Sequence, residues 1–201
     1  MNQLAPAWIS DVFRQLDQWF HAHQLSVVST SVGVLVAALR LPGVFAPGKY
    51  RDFAVKFPRS ILWGRVLMGL AAAIAWWIMY HAATDEWKWA QPYILIGVPV
   101  AYFLVVKFAP HYLAMRGAAA LMLMAAKVMV DAADWSESPL RLIITVFAYL
   151  WVIGAIWMTV APHHFRDLIG FMMANDKRCR AACSAGVVVG LGLIMLGVFA
   201  Y

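Results

Sequence analysis

Charged side chains are scarce in this chain. Asp, Glu, Lys and Arg make up 13% of its 201 residues, where a soluble domain carries about a quarter. Hydrophobic residues make up 64%. A water-soluble fold of this length would have to hide more apolar surface than its interior holds. Cysteine is nearly absent too: only Cys179 and Cys183 occur, four residues apart in a basic segment. A reducing compartment disfavours a disulfide there, and two cysteines fall short of the four ligands of a structural zinc site. The N-terminus lacks the basic and then apolar order of a signal peptide. Walker loop, nucleophile elbow and His-Glu-x-x-His patterns are missing as well. These absences leave no cofactor to expect and no catalytic residue to name.

What is present is a series of apolar blocks, each long enough for the roughly 20 helical residues that cross a bilayer core. Six spans are expected: Leu25 to Leu41, Ile61 to Tyr80, Tyr93 to Phe108, Gly117 to Trp135, Leu140 to Val160, and Ala181 to Ala200. Backbone polar groups in lipid must be satisfied internally, so each is helical. Several are short, implying a thin bilayer or snorkelling ends. Pro99 should kink the third.

The connections alternate in charge. Arg40, Lys49, Arg51, Lys56, Arg59 and Arg65 surround the first, Lys107 and Arg116 flank the third, and Arg166, Lys177, Arg178 and Arg180 fill the fifth. These are twelve of the sixteen basic residues, against three of ten acids, Asp52, Asp167 and Asp176. Short loops rich in Lys and Arg stay cytoplasmic. The expected location is therefore a bacterial cytoplasmic (inner) membrane with both termini outside. Trp8, Trp19, Trp87, Trp89 and Trp135 fall at the outer surface, as an aromatic belt does. The net charge of +6 reads as orientation in the membrane. No basic stripe with aromatic spacing accompanies it, so nucleic acid is not expected as a partner.

Residues 1–24 form an amphipathic segment. Trp8, Val12, Leu16, Trp19 and Phe20 recur at helical spacing, as in a helix lying in the interface. Residues 25–201 form the membrane domain.

Within that domain one pattern recurs. Ala46-Pro47-Gly48-Lys49-Tyr50-Arg51-Asp52-Phe53, Ala109-Pro110-His111-Tyr112 and Ala161-Pro162-His163-His164-Phe165-Arg166-Asp167-Leu168 each follow an odd-numbered span. The repeat, about the length of a hairpin, divides the domain into approximately 25–80, 93–135 and 140–201. Proline stops the incoming helix and starts the next. Tyr50, Phe53, Ala54 and Phe57, and likewise Phe165, Leu168, Ile169, Met172 and Met173, should form the apolar faces of short surface helices. Arg51 and Arg166, with Lys177, Arg178 and Arg180, are candidates for the phosphates of anionic lipids.

The third unit, Pro162-His163-His164-Phe165-Arg166-Asp167-Leu168 followed by Lys177-Arg178-Cys179-Arg180 and then Gly186, Gly190 and Gly192, resembles the small two-span YjeT-like inner-membrane family. The resemblance covers about 55 residues at the C-terminus. It implies membrane residence and hairpin architecture, without a reaction.

Lys127 falls inside the fourth span, about 16 Å beyond Arg116 at 1.5 Å per residue, with Asp131 one turn on. Ionisable groups at that depth are costly and often functional. A locally paired, snorkelling lysine, a proton or ion relay, and an interhelix contact are the readings. His111, His163 and His164 are weak metal candidates, because they sit at helix ends and Gly48 replaces histidine in the first unit. No metal is expected. Ser29, Gly33 and Ala37, and Ala182, Gly186 and Gly190, recur at four-residue spacing and let helices approach closely.

The fold expected is an all-α polytopic bundle of about six transmembrane helices as three related hairpins. The function expected is a non-enzymatic structural or accessory subunit of a membrane complex, whose partners are the bilayer and other membrane subunits or further copies of itself. The alternative is a small-solute or proton transporter using Lys127 and Asp131.

Overall fold

A computed structural model of the chain describes residues 23–81, 85–108, 112–134, 136 and 138–201, and for 85–87 the backbone alone. The N-terminal amphipathic segment, the Ala109-Pro110-His111 copy of the turn, and the side chains of Trp8, Trp19, Trp87 and Trp135 lie outside the described residues.

Among the described residues there are eight α-helices and no strand. They are α1 (Gln24–Phe45), α2 (Pro47–Lys56), α3 (Ile61–His81), α4 (Gln91–Phe108), α5 (Leu113–Asp134), α6 (Arg141–Val160), α7 (Pro162–Met172) and α8 (Asp176–Phe199). One 3-10 turn, Phe57–Arg59, links α2 to α3, and another, Asp85–Ala90, precedes α4. Six helices are long and apolar enough to cross a membrane: α1, α3, α4 with part of the turn before it, α5, α6 and α8. The chain is a multi-pass, all-α membrane protein.

The spans are longer than their apolar cores. They run from 20 to 24 residues, or about 30 to 36 Å at 1.5 Å per residue, so a bilayer of ordinary thickness is matched without thinning. The first helix continues through Pro42 to Phe45. Pro42 sits in its last turn, where only one helical hydrogen bond is lost, and Ala46 N–H still closes onto Pro42 O at 2.9 Å. Pro99 likewise lies within the unbroken α4. The fourth span starts at Leu113 and the sixth at Asp176. Arg116, Lys177, Arg178 and Arg180 therefore stand on the first turns of spans rather than in loops, and all four are exposed.

Proline at the first turn starts both surface helices. The alanine before each has the same conformation: Ala46 at φ −130°, ψ 67° and Ala161 at φ −129°, ψ 64°. This extended residue turns the chain out of the span, and proline's fixed φ suits the helix that follows.

α1 packs most extensively against α8, and α5 lies against α3, α6 and, less closely, α1. α4 touches α3 and has no buried residue. The two spans of each sequence hairpin are thus linked rather than closely packed. α2 with its 3-10 turn holds α1 and α3 apart, α7 does the same for α6 and α8, and α3 lies between α4 and α5. The core of the bundle consists of small and flexible side chains: Ala126, Met129, Ala132 and Ala133 of α5 with Ile144 and Ala148 of α6, Leu25 and Val32 of α1, and Leu193 of α8.

Candidate functional site

Three places concentrate unusual residues. The first is the seam between α1 and α8. Cys179, Cys183, Gly186, Gly190, Leu193 and Gly197 follow one another at alternating four- and three-residue steps, which places them on one face of α8. A Cβ on Gly33 would lie 2.6 Å from Gly190 O, and one on Gly190 would lie 2.8 Å from Ala37 N. The backbones meet directly, as small residues in membrane helices permit. Ser29, fully buried, donates to Leu193 O at 2.8 Å, and Ser26 donates to Gly197 O. Gly186 faces the alkyl stem of Arg40, whose Cγ would lie 2.8 Å from an added Cβ. Ala182 is only partly buried, and Cys183 takes its place in the seam.

At the basic end of that seam, Cys179 and Cys183 are buried together with Met173, against Val44, Tyr50, Ala54 and Ile169. Both thiols are free. Burial pushes the Tyr50 phenol above its ordinary pKa, partly countered by the Arg40 charge.

The second place is the ion pair Lys127–Asp131 on α5. Its side chains are 69% and 47% exposed. The buried face of α5, with Ala126, Met129, Ala132 and Ala133, turns inward, while Lys127 and its neighbour Val128 face outward. The pair therefore lies on the outer surface of α5.

The third place is a cleft of about 400 Å³ on the basic side, between α2 with its 3-10 turn and α7. Val55, Pro58, Arg59, Arg166, Asp167, Ile169 and Gly170 line it. Arg166 donates from Nε and Nη2 to Asp167 Oδ1 at 3.0 and 2.8 Å, and from Nη1 to the Tyr112 hydroxyl at 3.4 Å. The guanidinium holds the Asp167 carboxyl below the usual carboxylate range. Tyr112, at φ 59°, is a left-handed non-glycine residue. Its carbonyl accepts from Met115 and Arg116 N–H, and its ring packs on the Met115, Ala119, Ala155 and Met158 cluster.

No family model, curated protein or solved structure matches the chain.

The lipid candidates separate in space. Arg51 reaches across to Asp176 at the start of α8, at 3.3 Å, while Arg166 pairs with its own neighbour. Arg178 lies over the Phe171 ring, 4.8 Å from its centroid. Only Arg166 of these candidates lines the cleft, and the second arginine there is Arg59, which the motif reading passed over because it lies after the turn. Its signal was the Phe57-Pro58-Arg59 step, where a second proline turns the chain back toward the bundle. Gly64 and Gly117 were also passed over. An added Cβ on Gly64 would meet Ala114 N at 2.9 Å, and on Gly117 would meet Met68 N at 2.7 Å, so they set the close crossing of α3 and α5.

The His163 and His164 rings lie 4.1 Å apart between centroids, tilted by 42°, and both residues are exposed. His111 lies outside the described residues. Among the described residues no three His, Cys, Asp or Glu side chains converge as metal ligands.

The surface helices differ in part from their expected faces. Phe165, Ile169 and Met173 pack inward, whereas Leu168 and Met172 are exposed. Phe53 is exposed as well, lying against the rings of Phe57 and Trp63. A surface helix has protein on one side and interface on the other, so its apolar residues divide between them.

Proposed function

We propose that this chain is a non-enzymatic subunit of a membrane assembly, seated in a bacterial cytoplasmic membrane with its basic side toward the cytoplasm and both termini outside. The observation that carries this reading is the outward-facing Lys127–Asp131 pair. Lys127 lies seven residues from the end of α5, about 10 Å at 1.5 Å per residue. Charges at such depth ordinarily face a bundle interior or a cavity. Here the core cluster that α5 faces is apolar, and the pair is turned outward from it. A neighbouring subunit offering polar groups would cover it, whereas lipid alone would not.

The pattern of the loops supports the orientation, since the basic residues gather where the Ala-Pro turns fall. The matching conformations of Ala46 and Ala161 support descent from one repeated unit. Likeness of the last unit to two-span YjeT-like proteins fits membrane residence. The transport reading needs Lys127 and Asp131 to line a path, and their outward position supports it less.

Lys127→Met with Asp131→Asn tests the reading. In mild detergent the wild-type chain should run as an assembly larger than its own 22.4 kDa, and the double variant should fall to a monomer with unchanged helix content. A wild-type protein that is monomeric defeats the proposal. Ion or solute flux in proteoliposomes that disappears with Lys127→Met would favour the transporter.

A further inference from the structure

The basic-side cleft has the composition of a phospholipid head-group site. Arg59 and Arg166 approach it from two different elements, and Asp167 is the sole acidic residue in its lining. The lining carries one net positive charge, which matches one phosphodiester. Arg166 is held in place by Asp167 and Tyr112, while the Arg59 side chain has no hydrogen bond or ion pair among the described residues. The cleft therefore combines a fixed guanidinium with an uncommitted one. Arginine's planar fork suits phosphate oxygens.

The remaining wall is apolar: Val55, Pro58, Ile169 and Gly170. The helices on either side expose Phe53, Leu168 and Phe171. A free anion has no use for such surroundings, whereas a lipid brings an apolar chain beside its phosphate. Basic residues beside the ends of membrane helices are a recognised setting for anionic head groups.

We propose that this cleft binds the phosphodiester of an anionic phospholipid of the phosphatidylglycerol type, with Arg59 and Arg166 on the phosphate and Asp167 accepting from a head-group hydroxyl. The inference requires a membrane-spanning chain and stands independently of the accessory-subunit reading.

The test is native mass spectrometry of the full chain from micelles doped equally with phosphatidylglycerol and phosphatidylcholine. Wild-type protein should retain one phosphatidylglycerol in preference to phosphatidylcholine. Arg59→Gln should lower that occupancy about fivefold, the effect of one basic residue at an anionic surface. Because Arg166 also orders Tyr112 and Asp167, the second variant is Gly170→Phe. A Cβ at Gly170 meets nothing within 4 Å, so this ring fills the cleft while leaving every charge in place, and it should abolish the retained lipid. Lys177→Gln with Arg178→Gln, outside the cleft, should leave it. Equal retention of phosphatidylcholine overturns the proposal, as does phosphatidylglycerol retained by Gly170→Phe. Occupancy by inorganic phosphate with lipid displaced at millimolar concentration makes it a free-anion site and also overturns it.

Discussion

Arg166 and Asp167 are adjacent in sequence, yet they do different work in the cleft. The guanidinium holds the carboxyl ionised, so Asp167 titrates below its ordinary range. A depressed carboxyl stabilises the fold above the unfolded pKa near 3.9, and that contribution is lost as pH falls through the lower folded value. Arg166→Gln should return the Asp167 midpoint upward toward the ordinary value, as a carboxyl-carbon NMR titration would read. An unmoved midpoint would mean that Arg166 does not set it. Ser29 makes a contrasting case inside the bundle. Its hydroxyl is buried and donates to a helix carbonyl, but such bonds between membrane helices are weak. Ser29→Ala should cost about 0.6 kcal/mol and no more than about 1.7 kcal/mol, measured by unfolding in denaturing detergent.

Elements meet in this molecule where side chains are missing. On α8, Gly190 and Gly192 are two residues apart, and the first contacts α1 backbone while the second meets nothing within 4 Å. Gly190→Leu should therefore force α1 and α8 apart and destabilise by about 1–3 kcal/mol. Gly192→Leu should stay within about 0.5 kcal/mol of wild type. Thermal unfolding of the two variants side by side decides it, and equal effects would contradict the seam. The small-residue stripes of α1 and α8 were legible as stripes. Their mutual pairing was not, because Gly190 lies 157 positions from the Gly33 it meets, and four-residue spacing names no partner. The stripe through Ala182 was one residue off for a physical reason: a seven-residue repeat with unequal steps follows the crossing of two helices, and it admits Cys183, which is small enough for the seam.

At the scale of the whole molecule the charge pattern makes a prediction independent of packing. Single cysteines introduced at Lys49 and Lys177 should react with a membrane-impermeant maleimide only after cells are opened, and those at Lys88 and Ser138 should react in intact cells. Cys179 and Cys183 are buried and give little background. Labelling of all four from one side would refute the orientation. The peripheral position of α4, which has no buried residue, is a property of the assembled bundle. Its composition is as apolar as that of its neighbours, so nothing local distinguishes a helix at the rim from one at the centre.

The sequence by itself determined the number of spans, the helical class and the turn chemistry. Each of these follows from short-range physics: apolar length against bilayer thickness, backbone satisfaction in lipid, and proline's fixed φ. Only the tertiary structure decided which helices touch, that α1 closes on α8 while the two spans of each sequence hairpin stand apart, and that Lys127 faces outward. It also decided that Arg59 and Arg166, from different units, share one cleft. Those outcomes depend on how surfaces far apart in the chain fit together, and apolar spans of similar composition carry little information about that fit.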